Sequence, residues 1–288
     1  MRELAARCLA LGPRDGVNPT AIPFLSVYRR EATAPPASAV YEPSLFLVAQ
    51  GSKEARVGDD AFLYDPDNYL VTSVPLPVRS RILTASRAHP FVSLAVSFEL
   101  EAVREVLTQA GDALPPSAAG PPERGLAACP VTAPIRDVAA RLVGLLDHPD
   151  DIAFLAPLYR RELLYRVLEG PRGGFLRAAA MGHGQQSAIA RVLETIHADC
   201  ARPLTVPELA HLAGMSESVF YEAFKSVTGA TPIQYIKRLR LQEAHRQLTA
   251  GLSNVSGAAY GVGYTSLSQF SREFTRVFGA NPSEYVAR

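Results

Sequence analysis

The sequence predicts an α+β protein in which a β-rich N-terminal region precedes an all-helical C-terminal region. Three observations support this fold class. Residues 22–100 contain closely spaced short segments rich in Val, Tyr, Phe and Leu, residues 134–170 show the apolar spacing of helices, and two similar helical segments close the chain. Because 288 residues are enough for two cores, we place a domain boundary in the polar segment MGHGQQ (181–186), which gives domains 1–181 and 182–288.

Short strands separated by turns account for the first region. The segments FLSVYRREAT, VYEPSLFLVAQG, KEARVG, AFLYD, YLVTSV, VRSRIL and FVSLAVSFEL alternate in part between apolar and polar residues. The clusters APPAS, GDD, DPDN and SRAHP carry the residues that turns require. This pattern is typical of a small barrel or sandwich. A short helix, EAVREVLTQAGD, and a surface loop, DALPPSAAGPPERG, follow the strands.

Two longer helices are predicted next. Ile135, Val138, Leu142 and Leu146 recur at three- and four-residue steps and form one apolar stripe. The segment DIAFLAPLYRRELLYRVLEG begins with an acidic residue and ends before a proline, as helices do. We expect these helices to pair two copies of the chain through the stripe. The alternative is that the stripe faces the chain's own core.

The two closing segments repeat one pattern. Phe220, Phe224, Gly229, Pro232 and Tyr235 each have an identical residue fifty positions later. Shared spacing at so many positions indicates a duplicated structural unit. A helical solenoid is the alternative, but solenoids need about three or more repeats, and two are present.

The repeated unit has the pattern of a helix-turn-helix. In the first copy LTVPELAHLAG predicts a short helix, and Ser216 begins a second helix that ends before Gly229. Because residues three and four apart share a helix face, the phenylalanines point inward and polar side chains point outward. The predicted DNA-contacting residues are Ser216, Ser218, Tyr221, Glu222 and Lys225 in the first copy, and Ser266, Ser268, Ser271, Arg272 and Thr275 in the second.

At these residues the chain resembles the AraC/XylS family of transcription regulators. The motifs are A-x3-G-M-S-x3-F-x3-F-K-x3-G-x2-P-x2-Y-I at 210–236 and G-Y-x-S-x-S-x-F-S-R-x-F at 263–274, followed by F-G-x-N-P-x-E-Y at 278–285. The resemblance implies that one long helix, IQYIKRLRLQEAHRQLTAG, joins the two units and sets their spacing. Thr275 departs from the family pattern, in which a basic residue is common at that position.

The front half resembles the N-terminal domain of one AraC-like subfamily. The segments that carry this resemblance are GVNPTAIPFLSVYRR, VYEPSLFLVAQGSKEARVGDDAFLYDPDNYLVTSVPLP and RRELLYRVLEGPRGGFLR. It implies a cupin-like β-barrel that senses a small-molecule effector, followed by helices used for dimerisation. Within the barrel, the candidate effector-pocket residues are Tyr28, Gln50, Tyr69 and His89. The alternative for each of them is strand packing or a place at the rim.

Signatures of an enzyme or a metalloprotein are missing from the sequence. It contains no GxSxG elbow, no phosphate-binding loop and no GxGxxG motif. A metal-binding cupin needs two or three histidines on its strands, and of the six histidines only His89 falls in the strand region. We therefore predict no catalytic residue, no metal and no cofactor.

Bulk properties indicate a cytoplasmic protein. Cys8, Cys129 and Cys200 form no CxxC pair, which predicts reduced thiols. Glu3 and Arg7 interrupt the first apolar stretch, which argues against a signal peptide, and no apolar run approaches membrane-spanning length. Because the formal net charge is only +1, the prediction of DNA binding depends on pattern and not on charge.

The sequence thus predicts a regulator that binds double-stranded promoter DNA. Its predicted partners are a small-molecule effector, a second copy of the chain and RNA polymerase, with no membrane. Two alternatives stay open. One is a cupin-type enzyme with a helical accessory domain, and the other is a regulator that needs no effector and acts through dimerisation alone.

Overall fold

Two antiparallel sheets form the N-terminal part of the computed structural model, which describes residues 2–115, 124–181 and 184–286. The strands are β1 (Gly16–Pro19), β2 (Leu25–Arg30), β3 (Ala37–Tyr41), β4 (Ser44–Gln50), β5 (Ser52–Val57), β6 (Asp60–Tyr64), β7 (Asn68–Thr72), β8 (Leu76–Thr84), β9 (Phe91–Ser97) and β10 (Leu126–Pro130). One sheet has the strand order β1-β2-β9-β4-β7-β10, and the other has the order β3-β8-β5-β6. The predicted β-rich N-terminal fold is confirmed, as two antiparallel sheets rather than a closed barrel, and its likeness to a cupin stays a prediction.

The strands that the sequence pattern misses are those defined mainly by their partners. β1 and β10 are only four and five residues long. They are held by antiparallel pairing with β2 and β7, which a local residue pattern does not reveal. β3 begins at Ala37, inside a segment predicted to be a turn, because it pairs with β8 along its whole length.

Helices make up most of the remaining described chain. They are α1 (Arg2–Leu11), α2 (Leu100–Ala110), α3 (Ala133–Gly144), α4 (Pro149–Glu169), α5 (Gly173–Ala180), α6 (Gln185–Ala198), α7 (Val206–Ala213), α8 (Glu217–Thr228), α9 (Pro232–Thr249), α10 (Val255–Gly261) and α11 (Leu267–Phe278). The residue pattern did not indicate α1 or α5. Most of the predicted loop DALPPSAAGPPERG and two residues of MGHGQQ lie outside the described residues.

Capping residues explain where the helices of the C-terminal region begin. Thr205 and Thr231 each accept a hydrogen bond from the backbone N–H three residues on, and the side chains of Glu208 and Gln234 bond back to them. α7 and α9 therefore start with capping boxes. At the start of α10, Asn254 Oδ1 accepts a backbone N–H of the first turn at 2.8 Å. These local bonds satisfy backbone N–H groups of the first helical turn and so mark where each helix starts.

The apolar stripe of α3 lies in the chain's own core. Ile135, Val138 and Leu142 are buried, and Leu146 packs against the same cluster. α3 contacts both α4 and α1, so its apolar face is covered within one chain. The prediction that this stripe pairs two copies is therefore wrong. An apolar period shows that a helix face is buried, but it does not show which chain buries it.

The first helix-turn-helix unit shares a core with the sandwich, whereas the second unit has its own core. One cluster of buried apolar side chains extends from Leu4 through the strands and α3–α8 to Ile236 in α9. A second cluster begins at Leu241 and includes Phe270 and Phe274 of α11. The hydrophobic core is therefore divided within α9.

The carboxyl end of α8 docks on the sandwich. The Gly125 N–H donates to Val227 O at 3.0 Å, and Arg124 Nη1 donates to Lys225 O at 2.8 Å and to Ser226 O at 3.0 Å. These carbonyl groups lie in the last turn of α8, where helix carbonyls begin to lack N–H donors of their own; Lys225 O also accepts the Gly229 N–H at 2.9 Å. Residues just before β10 therefore cap a helix of the C-terminal region.

Two glycines allow the backbones to meet at this joint. Gly229 follows α8 with a φ of 67°, and Gly58 lies in the β5–β6 turn with a φ of 60°. A Cβ atom on Gly229 would lie 2.7 Å from Gly58 N and 2.8 Å from Val57 Cγ1. A side chain at Gly229 therefore requires the sandwich to move.

The second unit faces the sandwich across a cleft. This cleft, of about 530 Å³, lies between α9 and α11 on one side and β3, β5 and β8 on the other. Its charged lining residues are Arg56, Arg79, Lys237, Arg238, Glu273 and Arg276. Cations stand on both walls, and two of them have carboxylate partners on their own side, Lys237 with Glu273 and Arg56 with Glu54. This polar cleft contrasts with the apolar core that the first unit shares with the sandwich.

We predict that Gly229→Ala destabilises the protein more than Gly279→Ala does. Both glycines end a helix in the left-handed region, with φ values of 67° and 81°. Each alanine should therefore carry a backbone cost of about 1–2 kcal/mol. A Cβ atom on Gly279 meets no described atom within 4 Å, whereas one on Gly229 meets the sandwich. Overpacking should add about 1–3 kcal/mol at Gly229. Urea denaturation measures both losses, and equal values would contradict the close contact.

Candidate nucleic-acid interface and ligand cavities

Each helix-turn-helix unit is built around a pair of phenylalanines. In α8 the side chains of Phe220 and Phe224 are buried, with ring centroids 5.5 Å apart. In α11 the side chains of Phe270 and Phe274 are buried, with ring centroids 5.4 Å apart. The inward faces predicted from the residue spacing are confirmed. The opposite face of each helix is then left for contacts outside the chain.

Arg240 of α9 ties the two units together. Its Nε donates to Cys200 O at 2.6 Å, and its Nη2 donates to Ala201 O at 3.2 Å and to Arg202 O at 3.0 Å, all in the segment between α6 and α7. Its Nη1 donates to Gly263 O at 3.1 Å, in the turn between α10 and α11. One planar guanidinium group therefore fixes the position of α7–α8 relative to α10–α11.

Glu273 holds α11 against α9. Its carboxylate accepts hydrogen bonds from Lys237 Nζ at 3.0 Å, Tyr264 Oη at 2.9 Å and Gln269 Nε2 at 3.1 Å. Partial burial raises the pKa of Glu273, but these hydrogen bonds outweigh it and leave the pKa below its usual value. The ionised carboxylate thus anchors the helix that carries the second outward face.

The outward face of α8 is exposed near its amino end. Ser216, Ser218, Tyr221 and Glu222 are exposed, and so is Lys225, which lies nearer the end that docks on the sandwich. Ser216 stands at the N-cap position but makes no capping hydrogen bond; its Oγ lies 3.4 Å from Ser218 Oγ. The amino-terminal half of α8 is therefore accessible to a partner.

Sequence reasoning missed Val219 on this surface. Its side chain is 44% exposed, although it is apolar. An apolar side chain on such a helix can contact the methyl group of thymine, which is one way of reading a base. The helical spacing could have indicated this exposure, because it places Val219 outside the buried stripe formed by Phe220 and Phe224. Its counterpart in the second unit, Gln269, is instead bonded to Glu273.

The outward face of α11 has fewer accessible side chains. Ser268 and Arg272 are exposed, whereas Ser266, Ser271 and Thr275 are partly buried. Ser266 Oγ accepts a backbone N–H of the first turn at 3.3 Å, and Thr275 Oγ1 donates to Ser271 O at 2.8 Å. Arg272 has no hydrogen-bond or ion-pair partner among the described residues, so its guanidinium is available for an outside contact.

Three of the four candidate effector-pocket residues lie near one end of the sandwich. Tyr28 is in β2, and its ring lies at an edge-on angle to the Phe91 ring, with centroids 6.1 Å apart. Gln50 Nε2 donates to Pro90 O at 2.8 Å. His89 belongs to the exposed turn that precedes β9.

The fourth candidate, Tyr69, points to the outer face of its sheet, away from the space between the two sheets. Leu70 pairs with Phe46, and the Phe46 ring packs on the Tyr41 ring of the other sheet, with centroids 4.8 Å apart. Leu70 therefore points between the sheets, and the preceding residue must point outward. The Tyr69 hydroxyl lies close to Gly170 at the end of α4, and burial raises the pKa of Tyr69. Tyr69 is therefore a packing residue, which is the alternative to a place in the effector pocket.

A lysine stands among aromatic rings between the sheets. Lys53 Nζ lies 4.6 Å from the Tyr28 ring centroid and 5.5 Å from the Tyr41 ring centroid. Tyr41 Oη lies 3.2 Å from Tyr64 Oη. Burial raises the pKa of Tyr41, but Lys53 and the surrounding hydrogen bonds outweigh it and lower the pKa. Sequence reasoning missed this cluster because its members come from four separate strands.

A cavity of about 700 Å³ lies where the sandwich meets α4 and α6, and we name it the junction cavity. Its charged or titratable lining residues are Glu42, Glu99, Arg160, Glu194 and His197. Its other lining residues are mostly apolar and include Pro23, Phe24, Pro43, Val74, Pro75, Phe98, Leu100, Ala190 and Ala198. The four lining residues of α6 fall on one face of that helix, because they follow three- and four-residue steps.

His197 connects the junction cavity to α9. Its Nε2 lies 2.7 Å from Tyr235 Oη, which itself donates to Pro75 O at 2.8 Å. Its Nδ1 lies 3.8 Å from Glu42 Oε1. Burial lowers the pKa of His197 to about 4, so the imidazole is neutral near pH 7 and the approach to Glu42 is not an ion pair. Partial desolvation raises the pKa of Glu42.

Other chemistry in the described ranges is sparse. Across residues 2–115, 124–181 and 184–286, no three His, Cys, Asp or Glu side chains are grouped so that they could hold a metal ion. No helix in those ranges combines the length and apolar character needed to cross a bilayer. His183 lies outside these described ranges.

The Cys8 thiol is buried, and burial raises its pKa to about 12, which disfavours the reactive thiolate.

Comparisons with known protein families cover most of the chain. Residues 21–175 match the family described as AraC-type transcriptional regulator N-terminus, and residues 209–288 match a helix-turn-helix domain family. The activator RclR of Escherichia coli is 40% identical over 84 residues, which is 29% of this chain and 30% of RclR. The regulator AlkR of Acinetobacter baylyi is 36% identical over 97 residues, which is 34% of this chain and 32% of AlkR. The chain thus aligns with about a third of the length of the curated relatives it matches.

A solved structure shares the whole fold. ToxT from Vibrio cholerae superposes with a TM-score of 0.60 at 14% sequence identity, covering 91% of this chain and 97% of ToxT. At this identity the likeness concerns the fold alone. It extends over the sandwich and both helix-turn-helix units, so the arrangement described above is one that another protein adopts.

We predict that the protein loses stability as the pH falls from about 6.5 to about 4, in part because of His197. The folded state keeps His197 neutral down to a pKa of about 4, whereas the unfolded chain takes up the proton near the usual value of 6.5. Since the unfolded state then binds more protons, acidification favours unfolding, by about 2–3 kcal/mol across this window.

Urea denaturation between pH 7.5 and 4.5 tests this expectation. The variant His197→Gln removes the titrating group and should flatten the dependence on pH. His211→Gln, at an exposed histidine of α7, should leave the dependence unchanged. Parallel curves for the parent protein and His197→Gln would contradict the assignment.

Proposed function

The chain belongs to the family of AraC-type transcriptional regulators, and we propose that it is a cytoplasmic regulator that binds promoter DNA as a homodimer in response to a small molecule. The observation that carries this proposal is the pair of helix-turn-helix units on one long helix, each with its polar face turned away from the core. In this proposal the sandwich acts as a sensor rather than as an enzyme.

DNA recognition would use both outward faces. A recognition helix meets the major groove near its amino end, and two linked units on one face of a duplex read segments about one helical turn, roughly 10 base pairs, apart. The clamp formed by Arg240 and the anchor formed by Glu273 support such a fixed spacing. Contacts to phosphates would position the units, and the exposed side chains would then distinguish bases.

The effector would act on the arrangement of these units. A ligand that binds one arrangement better than another shifts the population toward it. The junction cavity touches the sandwich and α6 together, which supports such a coupling. ToxT, which shares the fold, has been solved with an unsaturated fatty acid bound. That structure supports a ligand-responsive role for the fold and leaves the effector of this chain open.

The second copy would pair through α4. Phe154 is 75% exposed and Leu158 is 47% exposed, one helical turn apart on the same face. Adjacent large apolar side chains on a surface favour burial against another chain. This face replaces the α3 stripe as the proposed pairing surface, and contact with RNA polymerase would then be a property of the DNA-bound dimer.

We predict that Arg272→Ala costs about 1–3 kcal/mol in affinity for the native site and relaxes the preference at one base position, because Arg is the common bidentate partner of guanine. Glu222→Ala should relax the preference in the other segment, where a carboxylate accepts from cytosine N4. It should also leave unchanged or raise the affinity for random DNA, because the carboxylate repels phosphates. After the protected promoter segment is identified by footprinting, titrations against single-base variants at fixed salt measure both effects.

The matched control for Arg272 is Arg104→Ala, which removes an exposed arginine from α2 of the sandwich domain. It should change neither affinity nor sequence preference. Equal weakening of every sequence by Arg272→Ala would make this residue a phosphate contact, and the assigned base reading would be wrong. Absence of binding to any promoter fragment would overturn the proposed function itself.

We predict that Phe154→Glu, alone or with Leu158→Glu, gives a folded monomer, because a charge in an apolar seam is costly to bury. Leu252→Glu, at another exposed apolar residue, is the control and should leave the dimer intact. Leu142→Glu should unfold the domain rather than separate the copies, since Leu142 is buried within one chain. Sedimentation of the folded variants measures the outcome, and an unchanged dimer in Phe154→Glu would refute the α4 surface.

A further inference from the structure

Two hydrogen-bond acceptors face each other in the junction cavity. Tyr235 donates its one hydroxyl hydrogen to Pro75 O at 2.8 Å, because a carbonyl oxygen can only accept. The Tyr235 oxygen must then accept the hydrogen that His197 carries on Nε2, at 2.7 Å. In a neutral imidazole this leaves Nδ1 without a hydrogen. The unprotonated Nδ1 is therefore a hydrogen-bond acceptor, and it lies 3.8 Å from Glu42 Oε1, which is also an acceptor.

A donor group between these two atoms would satisfy both. Neither the Glu42 carboxylate nor His197 Nδ1 accepts a hydrogen bond from the residues that the structure describes, and both can be reached from outside, since the Glu42 side chain is 59% exposed and the His197 side chain 18%. A single ammonium nitrogen can lie within hydrogen-bond distance of two acceptors that are 3.8 Å apart. Hydrogen bonds from a cation to a carboxylate are about twice as strong as neutral ones, so a positively charged donor is favoured.

The remaining walls favour a cation with an apolar body. Three carboxylates, those of Glu42, Glu99 and Glu194, line the cavity with one guanidinium, that of Arg160. The described lining is therefore net negative. The Arg160 guanidinium already lies over the Phe24 ring, 4.5 Å from its centroid. The apolar remainder of a cavity of about 700 Å³ can cover the body of a small organic ligand.

We propose that the junction cavity binds an organic cation, with its ammonium or amidinium N–H groups between His197 Nδ1 and the Glu42 carboxylate and its apolar body against Phe24 and Phe98. The chemical class is a primary amine or an amidine that carries a hydrocarbon group. That such a molecule acts as the effector rests on the function proposed above. Its binding to the cavity does not depend on that function.

The contacts beyond His197 lead into the first helix-turn-helix unit. Tyr235 joins α9 to the β7–β8 turn through Pro75 O, and its ring meets the Phe224 ring of α8 edge-on, with centroids 5.4 Å apart. A ligand that holds His197 Nδ1 fixes the imidazole, and the imidazole in turn holds the Tyr235 hydroxyl. The bound cation therefore stabilises the docked position of α8, which carries the first outward face.

The test uses the full chain and three matched probes at pH 7.5, with binding measured by calorimetry. Benzylamine carries the cation, benzyl alcohol is its neutral analogue, and phenylglycine is its zwitterionic analogue. Benzylamine should bind at one site per chain and about tenfold or more tighter than benzyl alcohol, which is the ratio expected for one charge-assisted contact. Equal binding of the amine and the alcohol, or no binding of the amine, overturns the proposal.

Two carboxylate variants locate the site. Glu42→Gln keeps the shape of the side chain and should weaken benzylamine about tenfold. Glu101→Gln removes an exposed carboxylate from α2, outside the cavity, and should have no effect. Should Glu42→Gln fail to fold, the nitrogen NMR signal of His197 Nδ1 in the parent protein gives a second readout. It should move on addition of benzylamine and not of benzyl alcohol; a signal that stays in place overturns the proposed contact.

Phenylglycine distinguishes two classes of ligand that carry the same ammonium group, namely amino acids and simple amines. Tighter binding than benzylamine, lost in Arg160→Gln, would assign the site to amino acids whose carboxylate meets Arg160. Weaker binding would assign it to simple amines, and both results support the proposed cation site.

Promoter binding is measured separately, with and without benzylamine. If the protein binds the promoter but does not bind benzylamine, this inference is wrong and the proposed function stands. If it binds benzylamine but no promoter, the cation site stands and the proposed function is wrong.

Discussion

The guanidinium group of Arg240 binds four backbone carbonyl groups, and the arrangement of the whole C-terminal region depends on these contacts. Three of the carbonyls precede the first helix-turn-helix unit, and the fourth, that of Gly263, lies in the turn of the second unit. Arg presents its donors in a rigid planar fork, so the directions of these bonds are set as well as their lengths. A regulator that reads two segments of one duplex needs such a fixed spacing, because a tilt of one unit would take its outward face out of the groove.

The two units differ in how they are joined to the sandwich. The first unit shares the sandwich core, its α8 carbonyls are capped by Arg124 and Gly125, and its Gly229 touches Gly58. The second unit has a separate core and faces a cleft with cations on both walls. Relative motion between the sandwich and the second unit therefore leaves both clusters of buried apolar side chains intact, and α9, where the core divides, is the element about which that motion would occur.

The outward faces favour discrimination between sequences over bulk attraction to DNA. α8 presents Ser218, Val219 and Glu222 near its amino end, and α11 presents Ser268 and Arg272. The charged residues are Glu217, Glu222 and Lys225 in α8 and Arg272, Glu273 and Arg276 in α11. Their formal charges cancel, so these helices add little to the general affinity for phosphates. The chain as a whole is close to neutral, with a net charge of +1. Its binding would therefore depend on the fit of particular side chains to base edges.

Local signals in the sequence were enough to predict the two helix-turn-helix units and most of the strands. Capping residues such as Thr231, glycines after helices and phenylalanines at helical spacing act within a few residues of one another, so tertiary contacts need not be known. Side-chain partners across the fold could not be predicted in this way. The α3 stripe meets its own chain, Tyr69 turns outward, and the junction cavity brings Glu42 to His197. Arg124 and Lys225 meet across 101 positions of sequence. Such contacts depend on how separate elements pack in three dimensions, which no residue pattern along the chain specifies.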